Sequence, residues 1–178
     1  FNMLRDIEKV SLVYNWGNPT SAAIAPIAEQ YSFPLVAMTL DPRSSEGRKY
    51  IVRSINPADD FAARLADELR AKKYKNIGVV IVQNAYVQGL YNGIKRRLDP
   101  DQKIEIVEEY PLSTTDFRDS VTKVRGKRYD ALGVFLISGQ ISTFYRQLKG
   151  QKITIPTFGT DFFESATEIK LAEGGMED

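Results

Sequence analysis

The chain of 178 residues contains no cysteine and no histidine. Without cysteine there can be no disulfide, no thiolate nucleophile and no cysteine-based metal site. Without histidine, the usual general base and the commonest zinc ligand are missing as well. These absences do not decide localisation, because a chain without cysteine fits a reducing compartment and also fits many exported bacterial proteins.

Several motifs are missing too. No G-x-G-x-x-G follows a predicted strand, and no phosphate-binding G-x-x-x-x-G-K-[ST] loop occurs in the sequence. No segment approaches the roughly 20 apolar residues that a membrane-spanning helix needs. The sequence therefore predicts a protein that is not an enzyme, with no cofactor, no metal site and no catalytic residue.

Neither sign of charge is in excess. Lys and Arg together number 24, Asp and Glu number 23, and the formal net charge is +1. The basic clusters at residues 70–75 and 95–97 fall at predicted helix ends, where cations complement the negative end of the helix dipole. A nucleic-acid partner is not predicted, because it would require a concentrated basic field.

Short apolar strands alternate with amphipathic helices along nearly the whole chain. The run at residues 77–82 is almost entirely apolar, as expected in a parallel sheet that is covered on both faces. Strands separated by helices of this length favour right-handed crossovers, so the sequence predicts an α/β protein with a doubly wound parallel sheet. The predicted strands are residues 10–14, 35–38, 50–55, 77–82, 103–110, 131–137 and 153–158.

An extended stretch at residues 50–55 is followed at once by a predicted helix that starts near Ala58. Such a segment carries the chain out of one α/β unit and into another. We therefore expect two domains. Residues 1–52 form part of a first lobe with the hinge crossing, and residues 53–178 form a second Rossmann-like lobe.

Hydroxyl residues follow the first two predicted strands, at the edge where doubly wound sheets bind ligands. Asn18 can cap a helix and Pro19 can occupy its first position, which leaves free backbone amides beside Thr20 and Ser21. Amides and hydroxyls together suit a carboxylate, although ordinary first-turn polar residues are the alternative. Thr39 follows the next strand and has the same two interpretations.

Three further candidates follow later strands. Tyr86 comes after the strand at 77–82, where its ring can contact a ligand or simply pack in the first turn of a helix. Ser138 follows the strand at 131–137 and could donate or accept a hydrogen bond. Asp161 follows the last strand, and from the residues alone it could merely cap a helix at 162–170.

The order and spacing of these segments resemble the periplasmic binding proteins of the branched-chain amino acid family. The resemblance implies a type I periplasmic-binding-protein fold in which the hydroxyl loops hold a ligand carboxylate, Tyr86 contacts the ligand and Asp161 pairs with its ammonium group. Met38 and Leu40 partly replace the usual small residues, and Val87 stands where glycine is usual. The matching segments are residues 17–21, 37–42, 50–60, 84–89 and 159–161.

The resemblance also implies a function. The expected protein is a solute-binding protein of an ABC transporter, periplasmic or extracellular, which closes two lobes on an amino acid or small carboxylate and delivers it to a membrane permease. The alternative is the ligand-sensing domain of a receptor or transcriptional regulator with the same fold. Members of the family extend further at both ends, so we expect a fragment with one lobe incomplete, whose exposed apolar surface promotes self-association.

Overall fold

The computed structural model describes residues 1–176, which form two compact units. The first unit extends from Phe1 to Phe61, and the second begins at Ala62 within a helix. The elements that begin in the first unit are α1 Asn2–Asp6, β1 Val13–Trp16, α2 Asn18–Gln30, β2 Leu35–Met38, a 3-10 turn Pro42–Ser44, β3 Ile51–Arg53 and α3 Ala58–Ala71.

The first unit is built on a parallel sheet with the strand order β1-β2-β3. One face carries the aligned side chains of Val13, Leu35 and Ile51, which are buried and form a core with alanines of α2. Alternation along the strands places Tyr14 and Val52 on the opposite face, where they are 59% and 62% exposed. This unit therefore has one buried and one exposed apolar face.

The second unit contains a four-stranded parallel sheet with the order β5-β4-β6-β7. The parallel α/β fold that the sequence predicted is confirmed. The further elements of this unit are β4 Asn76–Val82, α4 Ala85–Lys95, β5 Lys103–Tyr110, α5 Arg118–Gly126, β6 Ala131–Phe135, α6 Ile141–Gly150, β7 Thr157–Gly159, a 3-10 turn Asp161–Glu164 and α7 Ala166–Leu171.

Strand β4 is central because it is apolar on both faces. Every residue from Ile77 to Val82 is buried, and β4 pairs with β5 on one side and β6 on the other. Helix α4 turns Val87, Leu90 and Ile94 towards the core at the spacing of one helical face. No helix within residues 1–176 has the length and apolarity that crossing a membrane requires.

Two predicted strands begin three or more residues too early. Strand β1 begins at residue 13 and not at 10, because the Val10 amide donates to the Leu4 carbonyl and closes the turn after α1. Strand β7 begins at residue 157 and not at 153. Lys152 adopts φ 54° and the Ile153 amide donates to the Leu148 carbonyl, so these residues complete the end of α6.

Gln102 fixes the start of β5 to the end of α3. Its Nε2 donates to the carbonyls of Leu69 at 3.1 Å and Tyr74 at 2.7 Å, and its Oε1 accepts from the Asp99 amide at 3.1 Å. The side chain is buried, so these backbone groups have no easy access to water as a substitute partner.

We expect Gln102→Ala to lower the free energy of unfolding by about 1–3 kcal/mol, because it leaves buried backbone groups without a partner. Urea denaturation followed by circular dichroism measures the change. The control is Gln83→Ala, at an exposed glutamine directly after β4, which should change stability by less than about 0.5 kcal/mol. Equal losses in the two variants would contradict the anchoring role.

Candidate functional site

The loops after β4, β6 and β7 meet at one edge of the second sheet, because parallel strands all end on the same side. The chain leaves β4 towards β5 on one side, and β6 lies on the other side of β4. In open α/β sheets, ligands usually bind beyond the carboxyl ends of the strands at such a reversal of strand order.

Tyr86 is held in the first turn of α4 by Asn84. The Asn84 side chain caps the helix by accepting from the Tyr86 amide at 2.8 Å. The Tyr86 hydroxyl then donates to Oδ1 of Asp161 at 3.2 Å. Because β6 lies between β4 and β7, this hydrogen bond passes over the end of β6.

Asp161 is exposed, and the helix amides near it are capped by other side chains. Thr160 accepts from the Phe162 amide and Ser165 accepts from the Glu168 amide. Burial of Tyr86, followed by the charge and the hydrogen bond of Asp161, raises the pKa of the phenol. Tyr86 therefore keeps its proton at neutral pH and acts as the donor in this pair.

Gly159 sets the direction in which the chain leaves β7 towards Asp161. The Phe163 ring packs over it, and a Cβ on Gly159 would lie 2.3 Å from Cε1 of that ring. Phe163 in turn contacts the Tyr145 ring edge to face, with the ring centroids 5.8 Å apart. Only a glycine leaves room for this packing, because the contact is with the side of the backbone where a methyl would stand.

We expect Gly159→Ala to lower the free energy of unfolding by about 1–3 kcal/mol, because the added methyl overpacks against Phe163. Thermal unfolding measures the loss, and adding Phe163→Leu should recover part of it. The matched control is Gly89→Ala in α4, where an added Cβ meets nothing within 4 Å and should stabilise by about 0.4–1 kcal/mol. A tolerated alanine at both positions would refute the packing argument.

Ser138 follows β6 and is tied to a residue that the sequence did not single out. Its hydroxyl donates to Oε1 of Glu168 in α7 at 3.0 Å, and the Gly139 amide donates to the same oxygen. The other carboxylate oxygen of Glu168 accepts from the Ser142 amide at 2.8 Å. Glu168 is only 1% exposed, so α7 places a buried carboxylate against the start of α6.

Sequence reasoning missed Glu168 because its local pattern suggests a different contact. The spacing Ser165-x-x-Glu168 is that of a capping box, which predicts a glutamate side chain bonded to the amide of its own N-cap residue. Ser165 does cap α7, but the Glu168 side chain reaches across to Gly139 and Ser142. A long-range contact of this kind has no signal in the spacing.

In the first unit, α2 begins directly after β1. Its N-cap is Gly17, whose φ of 109° favours glycine, and not Asn18 as the sequence predicted. The Thr20 hydroxyl donates to the Trp16 carbonyl at 2.9 Å and accepts from Asn15 at 3.1 Å. Ser21 is fully buried and also accepts from Asn15, at 2.8 Å.

Asn18 instead joins α2 to the end of β2. Its Oδ1 accepts from the Thr39 hydroxyl at 2.8 Å and from the Leu40 amide at 2.9 Å. Thr39 is buried, so its hydroxyl is used inside the unit. The structure thus gives Ser21 and Thr39 internal partners and leaves Thr20 exposed, while the ligand contacts of all three residues stay predictions.

Arg53 lies near the carboxyl end of β3, in register with Ala37 of β2. Its Nε and Nη1 atoms are buried without a hydrogen-bond partner among the described residues. The bidentate Arg43 pair, with a smaller contribution from the charge of Arg53, holds the pKa of Asp41 below its usual value. The first unit therefore carries unused donors near the end of its sheet.

Residues 1–176 contain no group of three Asp or Glu side chains arranged to hold a metal ion. At the edge of the second sheet, Ser138 and Asp161 are exposed and Tyr86 is partly buried, and these three residues follow three different strands. Such an arrangement is suited to hydrogen bonding with a small polar group.

Solved structures share the fold of this chain. The branched-chain amino acid transporter substrate binding protein LivJ from Streptococcus pneumoniae, solved with isoleucine, has a TM-score of 0.78 at 23% identity, and the match covers 96% of this chain and 50% of that chain. The leucine binding protein LivK from Thermotoga maritima has a TM-score of 0.82 at 21% identity, with 97% and 51% covered.

A third structure has a different type of ligand. The solute binding protein of an ABC transporter from Rhodopseudomonas palustris, solved with p-hydroxybenzoic acid, has a TM-score of 0.79 at 20% identity, with 97% of this chain and 49% of that chain covered. The chain thus spans about half the length of the structures that it matches.

The family comparison covers nearly the whole chain. The sequence model of the periplasmic binding proteins matches residues 2–175. The match includes β1 to β7, and therefore both sheets and all the loops described above. The chain belongs to the periplasmic binding protein family.

Proposed function

We propose that this chain is the ligand-binding part of a solute-binding protein of an ABC transporter, located in the periplasm or outside the cell, and that its ligand is an amino acid. Its family consists of binding proteins and not of enzymes. The observation that carries the proposal is the exposed carboxylate of Asp161, oriented by Tyr86 over the end of β6.

The edge of the second sheet offers acceptors to a ligand. Asp161 is a carboxylate, the Tyr86 proton is directed to it, and the Ser138 proton is directed to Glu168. The lone pairs of these three side chains are what a ligand meets. An ammonium group has only donors and carries the opposite charge to Asp161, so it complements this edge.

The first unit offers donors. The first-turn amides of α2 have no carbonyl partner within the helix. A ligand carboxylate complements such groups. One molecule with both an ammonium and a carboxylate is an amino acid, which we propose binds between the two lobes and favours a closed state by contacting both.

Two alternatives are separated by their ligands and by the gene. An aromatic carboxylate, such as the p-hydroxybenzoic acid in the Rhodopseudomonas palustris structure, has no ammonium group for Asp161. A ligand-sensing domain of a receptor or regulator would bind ligand without a permease. A permease gene beside the coding sequence favours transport, and a fused helix-turn-helix or signalling domain favours sensing.

We expect Asp161→Asn, in the protein made from the full gene, to weaken amino acid binding by at least about 30-fold. The reason is that losing one partner of a desolvated charge pair costs roughly 2–5 kcal/mol. Calorimetric titration with a panel of amino acids and hydroxybenzoates measures the effect. Tyr86→Phe, which keeps the ring and removes only the hydroxyl, should weaken binding less.

The melting temperature of each unliganded variant is the control, and it should stay nearly unchanged because Asp161 caps no helix. Unchanged affinity in Asp161→Asn would remove the main support for an amino acid ligand. Tight binding of a benzoate together with no binding of any amino acid would show that the ligand is an aromatic carboxylate and not an amino acid.

We also propose that the 178-residue chain self-associates through the exposed face of its first sheet. Tyr14 and Val52 share that face, and exposed apolar sheet surfaces and free strand edges promote association. Light scattering at high concentration should show oligomers that Tyr14→Lys reduces. Ile169→Lys, at a 41% exposed position in α7, should have no effect, and a monomer in the unmodified chain would refute the proposal.

A further inference from the structure

Glu168 makes contacts that holding α7 in place would not require. Ser165 already caps α7, and a buried carboxylate is a costly way to pack one helix against another. The Glu168 carboxylate instead collects donors from the start of α6, namely the amides of Gly139 and Ser142 and the hydroxyl of Ser138. Gly139 adopts φ 87°, and its amide donates to the Glu168 carboxylate.

This arrangement is an anion site that the chain fills itself. Helix α6 is ten residues long, so its first turn carries a partial positive charge and free amides. Burial alone would raise the pKa of Glu168, but the hydrogen bonds from Gly139, Ser142 and Ser138 together outweigh burial and lower it. Glu168 is therefore a carboxylate at neutral pH and can only accept hydrogen bonds.

We propose that Glu168 is a positioning residue that determines ligand specificity. It occupies the start of α6, so no ligand carboxylate can bind there, and it directs the Ser138 proton away from the ligand. Ser138 is exposed, and its remaining lone pairs are available only to a donor. The selection for an ammonium group rests on the proposed function, whereas the exclusion of a carboxylate from the start of α6 does not.

The first test needs no knowledge of the ligand. Glu168→Ala leaves a space at the start of α6 that matches a small carboxylate, and sodium formate is the probe. We expect this variant to melt well below the unmodified protein, and formate to raise its folded-to-unfolded ratio by about tenfold at ten times the dissociation constant. Sodium chloride at equal ionic strength separates site binding from screening.

The unmodified protein and Glu68→Ala, at an exposed glutamate of α3, are the controls and should not respond to formate beyond its general salt effect. Formate that stabilises Glu168→Ala no more than these controls would overturn the anion site. A variant that stays unfolded even in formate counts against it in the same way.

The second test measures selectivity with L-isoleucine and 3-methylpentanoate, which differ only in the ammonium group. Ser138→Ala should weaken L-isoleucine binding and leave 3-methylpentanoate unaffected. Glu168→Met removes both acceptor oxygens at a similar side-chain length, so the Ser138 hydroxyl loses its acceptor and can donate to the ligand. The ratio of the two affinities should then fall at least about tenfold, as expected for a hydrogen bond to a charged group.

A purely structural role would weaken both compounds equally in each variant, and unchanged ratios would overturn the proposal. Failure of the unmodified protein to bind L-isoleucine while it binds another class of solute would instead contradict the proposed function. The formate result would still decide whether Glu168 fills an anion site, so the two failures are distinguishable.

Discussion

The parallel pairing of β4, β6 and β7 is the constraint on which the candidate site depends. Parallel strands end at one edge, so residues far apart in sequence are brought together there without any direct requirement on the loops between them. Tyr86 and Asp161 are separated by 75 positions. The Tyr86 hydroxyl nevertheless reaches the carboxylate, because Tyr86 follows β4, Asp161 follows β7 and only β6 lies between these two strands. Burial of nearly the whole apolar strand β4 stabilises this arrangement.

The polar groups at the ends of the two sheets differ in hydrogen-bonding type, because one set consists of acceptors and the other of donors. At the second sheet, the carboxylates of Asp161 and Glu168 accept hydrogen bonds from Tyr86 and Ser138, which leaves oxygen lone pairs for a ligand donor. At the first sheet, the first-turn amides of α2 have no carbonyl partner within the helix and no side-chain cap among the described residues. The two units therefore differ in the type of hydrogen-bonding group that they offer.

The sequence predicted the elements that are determined by residues close together in the chain. Strands β2 and β5 have the predicted bounds, because a proline stands next to each of them, Pro34 before β2 and Pro111 after β5. The N-cap role predicted for Asn18 was wrong, because its side chain instead accepts two hydrogen bonds from the residues that follow β2. Glu168 could not be found from the sequence, because its partners lie 26 to 30 positions away and depend on how α7 packs against α6.

Trp16 is the only tryptophan in the chain, and it is 76% exposed at the end of β1, directly before Gly17 and α2. Indole emission shifts to shorter wavelengths when water is removed from the ring. Selective excitation of tryptophan thus reports on one defined place, next to the first-turn amides of α2. The protein carries a natural fluorophore for any solute or partner that covers that place, and no label is needed to follow its occupancy in time.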